Sequence, residues 1–563
     1  MFASWTMARK DQADALANAE SAEKFWSTLP QDNPFETQRR LCDELAKAAG
    51  GERRDADRFR ALRQLDRHAD RLLEGFVSEY AALCGQSTVL ERQLRLAALE
   101  LSRAFADEFE RLLRFADKPV VTTAWRERTS ELAVRLFRHR EIELVLVLSR
   151  YERWPRGRWK SLHDAYKFLL SMDVATLAVP SSRRAEHSVI TVTPEQAYIR
   201  ILLLQRMDGG RFRPEEIAWA RRQIVRWSGA LALHCVDPMI DPTGSRKCFV
   251  VNMAGTEGLA GRPAPGSGDW LWLDTTPIAG AIDARMAESR NATNGVTTST
   301  WAHLQLNLLR KLRDLYDPKR PHVKRRGERI VAGLASAEAT LGDLQTIFRM
   351  LRDEAKSAIE ASNVPLPDVE EITITDVGSL QGSPAAPPAG VALHRARSAR
   401  VTASTTWQIR DRSGSGTRLR GSTADSSLLI PGLLIAFRDG KPAPWTVAVV
   451  RRSSRLMGSN VELGVEHLGR DPQRVILLSD VHGAQETDAR PARIGALYLP
   501  ESEACPRMPI RTLLMPMCEY ASGRVMTMRS KTSQIGIRLK EPLERQASFV
   551  WTSFELVEAA ADR

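Results

Sequence analysis

The chain lacks the sequence features of membrane-spanning and secreted proteins. No stretch approaches the ~20 apolar residues that a transmembrane helix needs, and the first ten residues contain no apolar segment of signal-peptide length. The six cysteines form no C-x-x-C pair, which argues against a zinc ribbon, a thioredoxin-like redox pair and a secreted disulfide framework. We therefore expect a cytoplasmic protein with structural cysteines, no metal site and no cofactor.

The motifs of the common catalytic sites are also missing. The chain has no H-E-x-x-H, no G-x-S-x-G and no Walker sequence. A glycine-rich loop runs from Gly255 to Gly268, but it lacks the G-K-S/T ending of a phosphate-binding P-loop. The sequence therefore predicts a protein that is not an enzyme.

Aromatic residues are scarce and positive charges are abundant. The formal net charge of +12 and the pI of about 9.6 favour anionic partners such as nucleotides, nucleic acid or an acidic surface. The basic run from Lys319 to Arg329 keeps nucleic-acid binding open as a hypothesis. Aromatic residues make up only 6% of the chain and do not alternate with the basic clusters, as stacking platforms for bases require. The composition therefore argues against nucleic acid as the partner.

Helical periodicity dominates roughly the first 230 residues. Between Val89 and Leu113, apolar residues recur every three or four positions, and charged residues occupy the opposite face. The same pattern predicts helices at Phe35–Ala48, Phe59–Cys84, Thr129–Arg150 and Pro214–Cys235, and Thr193-Pro194 marks another helix start. Further along, we expect a short strand at Ile330–Leu334 and a helix from Ala337 to Ala361. The N-terminal part is thus predicted to be an all-α bundle or solenoid.

From Arg400 onward the apolar residues alternate with period two instead. Trp407/Ile409, Trp445/Val447/Val449 and Val461/Leu463/Val465 are separated by turn-forming residues, as in a small antiparallel barrel or sandwich. Six further strands are predicted, at Val475–Leu478, Ile494–Leu499, Thr512–Met517, Val525–Met528, Ile535–Leu539 and Phe549–Phe554. These are enough for a second small β domain.

Two short motifs carry the chemistry of a candidate site. Arg325 and Arg329 stand at i and i+4 in the basic run, and a guanidinium offers a planar fork of donors for phosphate or guanine. Asp411, Ser413 and Gly416 form a D-x-S-x-x-G sequence directly after a strand pattern, which supplies a carboxylate acceptor, a hydroxyl and a close backbone approach. Each motif alone is weak, and together they suggest a binding site for an anionic, guanine-containing ligand.

This combination resembles the PilZ family of cyclic di-GMP receptors, whose signature is R-x-x-x-R followed by D/N-x-S-x-x-G. Leu429–Ile435 and Glu462–Glu466 are similar to later strands of the same family. The resemblance implies cyclic di-GMP as ligand, with Arg325 and Arg329 on phosphate and on the guanine O6/N7 edge. It further implies that Asp411 accepts from guanine, that Ser413 contributes a hydroxyl or backbone contact, and that Gly416 lets the backbone pass close to the ligand.

The spacing of the two motifs departs from the family pattern. Arg329 and Asp411 are 82 positions apart (411 − 329), whereas a few tens of residues are usual. We therefore expect an insertion inside the barrel. Other cations that would serve instead are Arg326, Arg395, Arg397 and Arg400.

The predicted fold class is a multidomain α+β protein: an N-terminal all-α helical region, a PilZ-like antiparallel β-barrel and a second small β domain. The predicted boundaries are a helical region at 1–237, a mixed strand-loop-helix connector at 238–318, the barrel at 319–475 with a helical and Pro/Ala-rich insertion at about 335–400, and the small β domain at 476–563. The resemblance favours a receptor that relays ligand binding to a protein partner through the helical region. The stretched spacing keeps open a degenerate barrel that serves as an adaptor without ligand.

Overall fold

The computed structural model of the protein describes residues 14–47, 55–84, 89–114, 122–185, 188–207, 210–235, 248–260, 269–293, 300–317, 336–361, 405–422, 429–440, 442–456, 459–479, 493–501, 510–530, 533–546 and 548–557. The chain divides into two compact units. The first consists of Met1–Asp208, Phe212–Glu288 and Leu309–His322, and the second of Gly209–Arg211, Ser289–Leu308 and Val323–Arg563. Among the described helices, none is both long enough and apolar enough to cross a bilayer.

The N-terminal part of the chain is built mainly of helices. They are α1 (Ala19–Ser27), α2 (Pro34–Lys47), α3 (Asp55–Leu83), α4 (Val89–Arg114), α5 (Thr123–Leu148), α6 (Arg156–Ser171), α7 (Pro194–Arg206), α8 (Pro214–Trp227), α9 (Thr276–Thr293) and α10 (Thr300–Tyr316). Two small antiparallel sheets interrupt them. One is the hairpin of β1 (Val179–Ala185) and β2 (Ser188–Val192), and the other contains β3 (Leu233–Cys235), β4 (Phe249–Asn252) and β5 (Trp270–Leu273) in the order β3-β5-β4.

Helix α5 is the central helix of this unit, and it buries charged side chains as well as apolar ones. Arg135 and His139 both contact the buried carboxylate of Asp66 on α3, with 2.8 Å between His139 Nε2 and Asp66 Oδ1. Arg140 pairs with Glu143 at 2.9 Å and with Glu110 of α4 at 2.8 Å. A buried ion loses its solvation, so any slip of α3 or α4 along α5 would leave charges uncompensated. These pairs therefore specify the register of the three helices.

Local sequence signals located the starts of α2, α4, α7 and α8 to within one residue. The predicted starts Phe59 and Thr129 lie four and six residues inside α3 and α5. Helix α7 begins at Pro194 behind a capping box, in which the Thr193 side chain accepts from the Gln196 N–H at 3.1 Å. The predicted helix Pro214–Cys235 was wrong at its end, because α8 stops at Trp227 and Leu233–Cys235 forms strand β3. The Ser228-Gly229 step ends the helix, since glycine disfavours helical continuation.

The second unit contains two closed antiparallel barrels. The first has the strand order β10-β11-β8-β7-β6-β9 and the second β12-β13-β14-β17-β16-β15. Their strands are β6 (Ser336–Gly342), β7 (Thr405–Ser413), β8 (Gly416–Ser422), β9 (Leu434–Arg438), β10 (Thr446–Arg455), β11 (Asn460–Arg470), β12 (Gln473–Ser479), β13 (Arg493–Leu499), β14 (Thr512–Met515), β15 (Val525–Arg529), β16 (Gln534–Arg545) and β17 (Val550–Val557). The predicted fold class, a helical region followed by two antiparallel β domains, is confirmed.

Strand β6 and helix α11 (Leu344–Ala361) follow each other directly in the first barrel. The predicted helix Ala337–Ala361 was wrong at its start, because Ala337, Ala339 and Leu341 alternate into the barrel interior. Because alanine is a strong helix former, the local propensity of this segment wrongly predicted a helix. Pairing with neighbouring strands makes the segment a strand instead. Helix α11 then packs Ile347 and Phe348 against the outer faces of both barrels. The predicted strand Ile330–Leu334 lies outside the described residues.

Candidate ligand-binding site

The D-x-S-x-x-G motif forms the hairpin between β7 and β8. Asp411 and Ser413 close β7, Gly416 opens β8, and Ser413 pairs with Gly416 across a turn of Gly414 and Ser415. The Ser413 hydroxyl donates to the Gly416 carbonyl at 3.2 Å. The structure therefore brings together the three motif residues that the sequence predicted as one half of the site.

The Asp411 carboxylate faces Arg418 across this hairpin. Its Oδ2 atom is 3.1 Å from Arg418 Nε, and Arg418 Nη1 is 3.5 Å from Glu462 Oε1 on β11. Asp411 is only 14% exposed, whereas Arg418 is 35% exposed. Asp411 is thus oriented at the barrel surface by a cation from its own hairpin, and a ligand that uses this carboxylate has to compete with Arg418.

Gly416 is required by the close approach of β8 to β11. It pairs with Glu466, and a Cβ atom at position 416 would lie 2.5 Å from the Val465 carbonyl oxygen. No side chain fits at that distance without moving the backbone. Gly416 therefore fixes the position of the hairpin on the barrel, in addition to any contact with a ligand.

A cavity of about 220 Å³ lies at the barrel end where this hairpin is found. It is lined by the ends of β7, β9 and β11, the start of β10 and the residues just before it. Arg412 spans part of the opening through two 2.7 Å hydrogen bonds to the Asp439 carboxylate. Arg470 also lines the cavity, and none of the described residues forms an ion pair with it. The opening, which we call the barrel mouth, offers both cations and a carboxylate.

His467 lies beneath the hairpin at this mouth. Its Nε2 atom is 2.9 Å from the Thr417 hydroxyl, and its backbone N–H donates to the Ser415 carbonyl at 3.0 Å. Burial lowers the pKa of His467 to about 4, and the nearby Arg412 guanidinium contributes in the same direction. The imidazole is therefore neutral at pH 7 and supports the hairpin from inside the barrel.

Strand β6 enters the barrel at the same end. Its first residue, Ser336, pairs with Gln408 of β7, and Glu338 pairs with Arg438 of β9, next to the cavity. In this antiparallel pair, the start of β6 therefore lies towards the end of β7 that carries Asp411 and Ser413.

The predicted cations cannot be located in the same way. Arg325 and Arg329, and the alternatives Arg326, Arg395, Arg397 and Arg400, all lie outside the described residues. In sequence, Arg329 precedes Ser336 by seven positions (336 − 329). The arginine motif is thus much closer in sequence to β6, the strand that pairs with β7, than to Asp411.

Sequence reasoning missed Arg412, Asp439 and His467. Arg412 and Asp439 are 27 positions apart and belong to different strands, so no local pattern connects them. The only available signal was that Arg412 occupies the variable position between Asp411 and Ser413. In the described part of the chain, no three His, Cys, Asp or Glu side chains group as metal ligands.

The N-terminal part of the chain matches a known protein family. Residues 20–239 match a family model described as the cyclic-di-GMP receptor FimW, N-terminal domain. No curated protein and no solved structure matches the chain. The matched segment spans α1 to β3 and covers less than half of the chain. The helical part is therefore similar to the N-terminal domain of a cyclic di-GMP receptor.

Proposed function

We propose that the protein is a cyclic di-GMP receptor of the PilZ type, whose first barrel binds the dinucleotide at the barrel mouth. Two separate parts of the chain support this ligand. Residues 20–239 are similar to a receptor domain for cyclic di-GMP, and the D-x-S-x-x-G motif lies at 411–416, outside that segment. Because the two segments do not overlap, they are independent indications of the same ligand.

The observation that carries the proposal is the pairing of β6 with β7. Ser336 pairs with Gln408, so the start of β6 lies beside the part of β7 that leads to Asp411. Arg329 precedes Ser336 by only seven positions (336 − 329), and seven residues span at most about 25 Å. In this proposal that reach lets the arginine motif contact the hairpin, although Arg329 and Asp411 are 82 positions apart.

The mouth cavity is small, and its size fits a ligand that lies only partly inside the barrel and is covered from outside. Pockets that enclose a small molecule usually have about 300–1,000 Å³, and the mouth cavity has about 220 Å³. The mouth would therefore hold only part of a cyclic dinucleotide, and the rest of the ligand would extend over its rim. Arg325 and Arg329 would close over this exposed part and contact phosphate and the guanine O6/N7 edge. Asp411 would accept from guanine N–H groups, and Ser413 would add a hydroxyl or backbone contact.

In this proposal the protein acts by binding and not by catalysis. It is a cytoplasmic receptor that passes the ligand signal to a protein partner through the helical region. The high positive charge of the chain, +12 formally, helps to attract an anionic dinucleotide by long-range electrostatics.

Calorimetric titration of the full chain with cyclic di-GMP tests the proposal. Arg325→Ala, Arg329→Ala and Asp411→Ala should each weaken binding about 5- to 150-fold, since a bidentate guanine contact contributes about 1–3 kcal/mol. Arg529→Ala, at an exposed position of the second barrel, is the charge-matched control and should bind like wild type. Absence of heat at tens of micromolar ligand, or equal binding by Arg329→Ala and wild type, would contradict the proposal.

A second candidate function is an adaptor whose barrel has lost ligand binding. The observation in its favour is that Asp411 is paired with Arg418 and Arg412 with Asp439, so these groups already have partners without a ligand. In that case Asp411→Ala would disturb only the barrel surface. The calorimetric titration separates the two functions, because an adaptor gives no heat with cyclic di-GMP in any variant.

A further inference from the structure

The helical unit contains a larger cavity, of about 530 Å³, bordered by α2, α3 and the end of α1. This volume lies within the range of pockets that bind small molecules, about 300–1,000 Å³. Two arginines of α3, Arg67 and Arg71, line it, together with Trp26, His68 and the first turn of α2. Among the described residues that line it, none is Asp or Glu, so these lining residues together carry a positive charge.

Arg67 and Arg71 stand one helical turn apart and are exposed. Neither forms an ion pair with any of the described residues. The acids that directly precede these arginines in sequence contact α5 instead, since Asp66 contacts His139 and Asp70 contacts Arg138. Like charges at i and i+4 repel each other, so an anion between the two guanidinium groups would relieve this repulsion and satisfy their donors.

Two aromatic rings form part of the wall. The Trp26 indole and the His68 imidazole are stacked, with ring centroids 5.0 Å apart and planes 12° from parallel. The Glu23 carboxylate holds His68 Nε2 at 2.7 Å and also accepts from Gln64 at 2.6 Å, so the imidazole is fixed in this orientation. The cavity thus combines two arginines that pair with none of the described residues and a preorganised stacked pair of aromatic rings.

We propose that this cavity binds a phosphorylated aromatic compound of nucleotide size. Its phosphate lies between Arg67 and Arg71, where two guanidinium forks supply the donors. Its ring packs against the Trp26–His68 pair, since aromatic rings stack at such centroid distances. This site is separate from the barrel mouth and does not depend on the function proposed for the barrel.

Equilibrium dialysis of the full chain with guanosine monophosphate, guanosine and inorganic phosphate tests this proposal. The monophosphate should bind with a dissociation constant below about 1 mM, and guanosine or phosphate alone at least about tenfold more weakly. Saturating cyclic di-GMP should leave this binding intact. Absence of binding, equal binding of phosphate alone, or complete displacement by cyclic di-GMP would each overturn the proposal.

Matched double variants locate the bound nucleotide. Arg67→Ala with Arg71→Ala should reduce affinity at least about tenfold, because both phosphate contacts are lost. Arg39→Ala with Arg60→Ala removes the same charge from exposed positions of α2 and α3 and should bind like wild type. Trp26→Ala should reduce the affinity for the monophosphate to that for phosphate alone. Equal weakening by both double variants, or wild-type binding by the first, would contradict the site.

Discussion

Asp411 and Arg418 face each other across the β7–β8 hairpin, with the carboxylate Oδ2 atom 3.1 Å from the guanidinium Nε. Asp411 is the residue proposed to accept guanine donors, so ligand binding would exchange one donor for another at this carboxylate. Glu462 lies 3.5 Å from Arg418 Nη1 and offers a second partner for the released arginine. Arg418 is thus an internal competitor of the proposed ligand.

Replacing Arg418 by Met should strengthen cyclic di-GMP binding by up to about fivefold. A partly exposed ion pair contributes about 0–1 kcal/mol, and 1 kcal/mol corresponds to a factor of about five. Calorimetric titration measures the change. Arg538→Met is the control, since it breaks a similar exposed pair with Glu555 at 3.0 Å in the second barrel and should leave affinity unchanged. Weaker binding by Arg418→Met would mean that Arg418 itself contacts the ligand.

Gly416→Ala should destabilise the hairpin and reduce ligand binding. The added Cβ would meet the Val465 carbonyl at 2.5 Å, and relief requires a backbone shift that costs about 1–3 kcal/mol. Hydrogen exchange of the β8 and β11 amides reports this loss as a lower free energy of local opening. At Gly464 of β11, an added Cβ would lie 3.4 Å from Arg452, which is an ordinary van der Waals contact distance. Gly464→Ala is therefore the control, and equal protection in the two variants would contradict the prediction.

The stability of the first barrel should fall as the pH drops from about 6.5 to about 4. Burial lowers the pKa of His467 to about 4, below the ~6.5 of an unfolded histidine. In this interval the unfolded chain binds a proton that the folded chain does not, so the free energy of unfolding decreases with decreasing pH. At pH 4.5, the lowered pKa of His467 should decrease the free energy of unfolding by about 2–3 kcal/mol relative to pH 7.

Urea unfolding of wild type and His467→Gln at pH 7 and pH 4.5 tests this dependence. Glutamine does not titrate, so the variant should lose less stability between the two pH values. Other buried histidines, such as His139 and His163, contribute equally to both proteins and cancel in the comparison. A parallel loss in wild type and variant would show that His467 does not cause the effect.

Arg451 connects the two barrels. Its guanidinium is 2.6 Å from Glu466 Oε2, beside the hairpin, and it also forms two short hydrogen bonds to Glu544 of the second barrel. These carboxylates raise the pKa of Arg451 above its usual range. Arg451→Met should lower the free energy of unfolding by about 1–3 kcal/mol, because it leaves two carboxylates without their cation.

A double-mutant cycle separates this pair from general effects of the substitution. Adding Glu544→Gln to Arg451→Met should restore part of the lost stability, since the uncompensated carboxylate is removed. Arg412→Met, which breaks an exposed pair with Asp439, should cost less than about 1 kcal/mol. Additive effects of Arg451→Met and Glu544→Gln would contradict a direct coupling.

Some parts of the fold follow from the sequence because their signals are local. Apolar residues three or four apart predicted α4 within one residue, and Thr193-Pro194 predicted the start of α7. Apolar strand patterns between turn-forming residues predicted a strand at the place of every strand of the second barrel. The D-x-S-x-x-G motif was also local, since Ser413 and Gly416 pair across a two-residue turn. In each case, neighbouring residues alone carry the information.

What the sequence determined by itself was therefore the kind of those elements that have a strong local pattern, and the position of the acidic-serine hairpin. The segments of β3 and β6 were predicted as helix and form strands instead. Only the tertiary structure decided that β6 lies beside β7, which places Ser336 opposite Gln408, and that Arg412, Asp439 and His467 meet at one barrel mouth. The closure of the barrel determines these neighbours through its strand order and register. The sequence around a residue contains no signal for a partner that is far away in the chain.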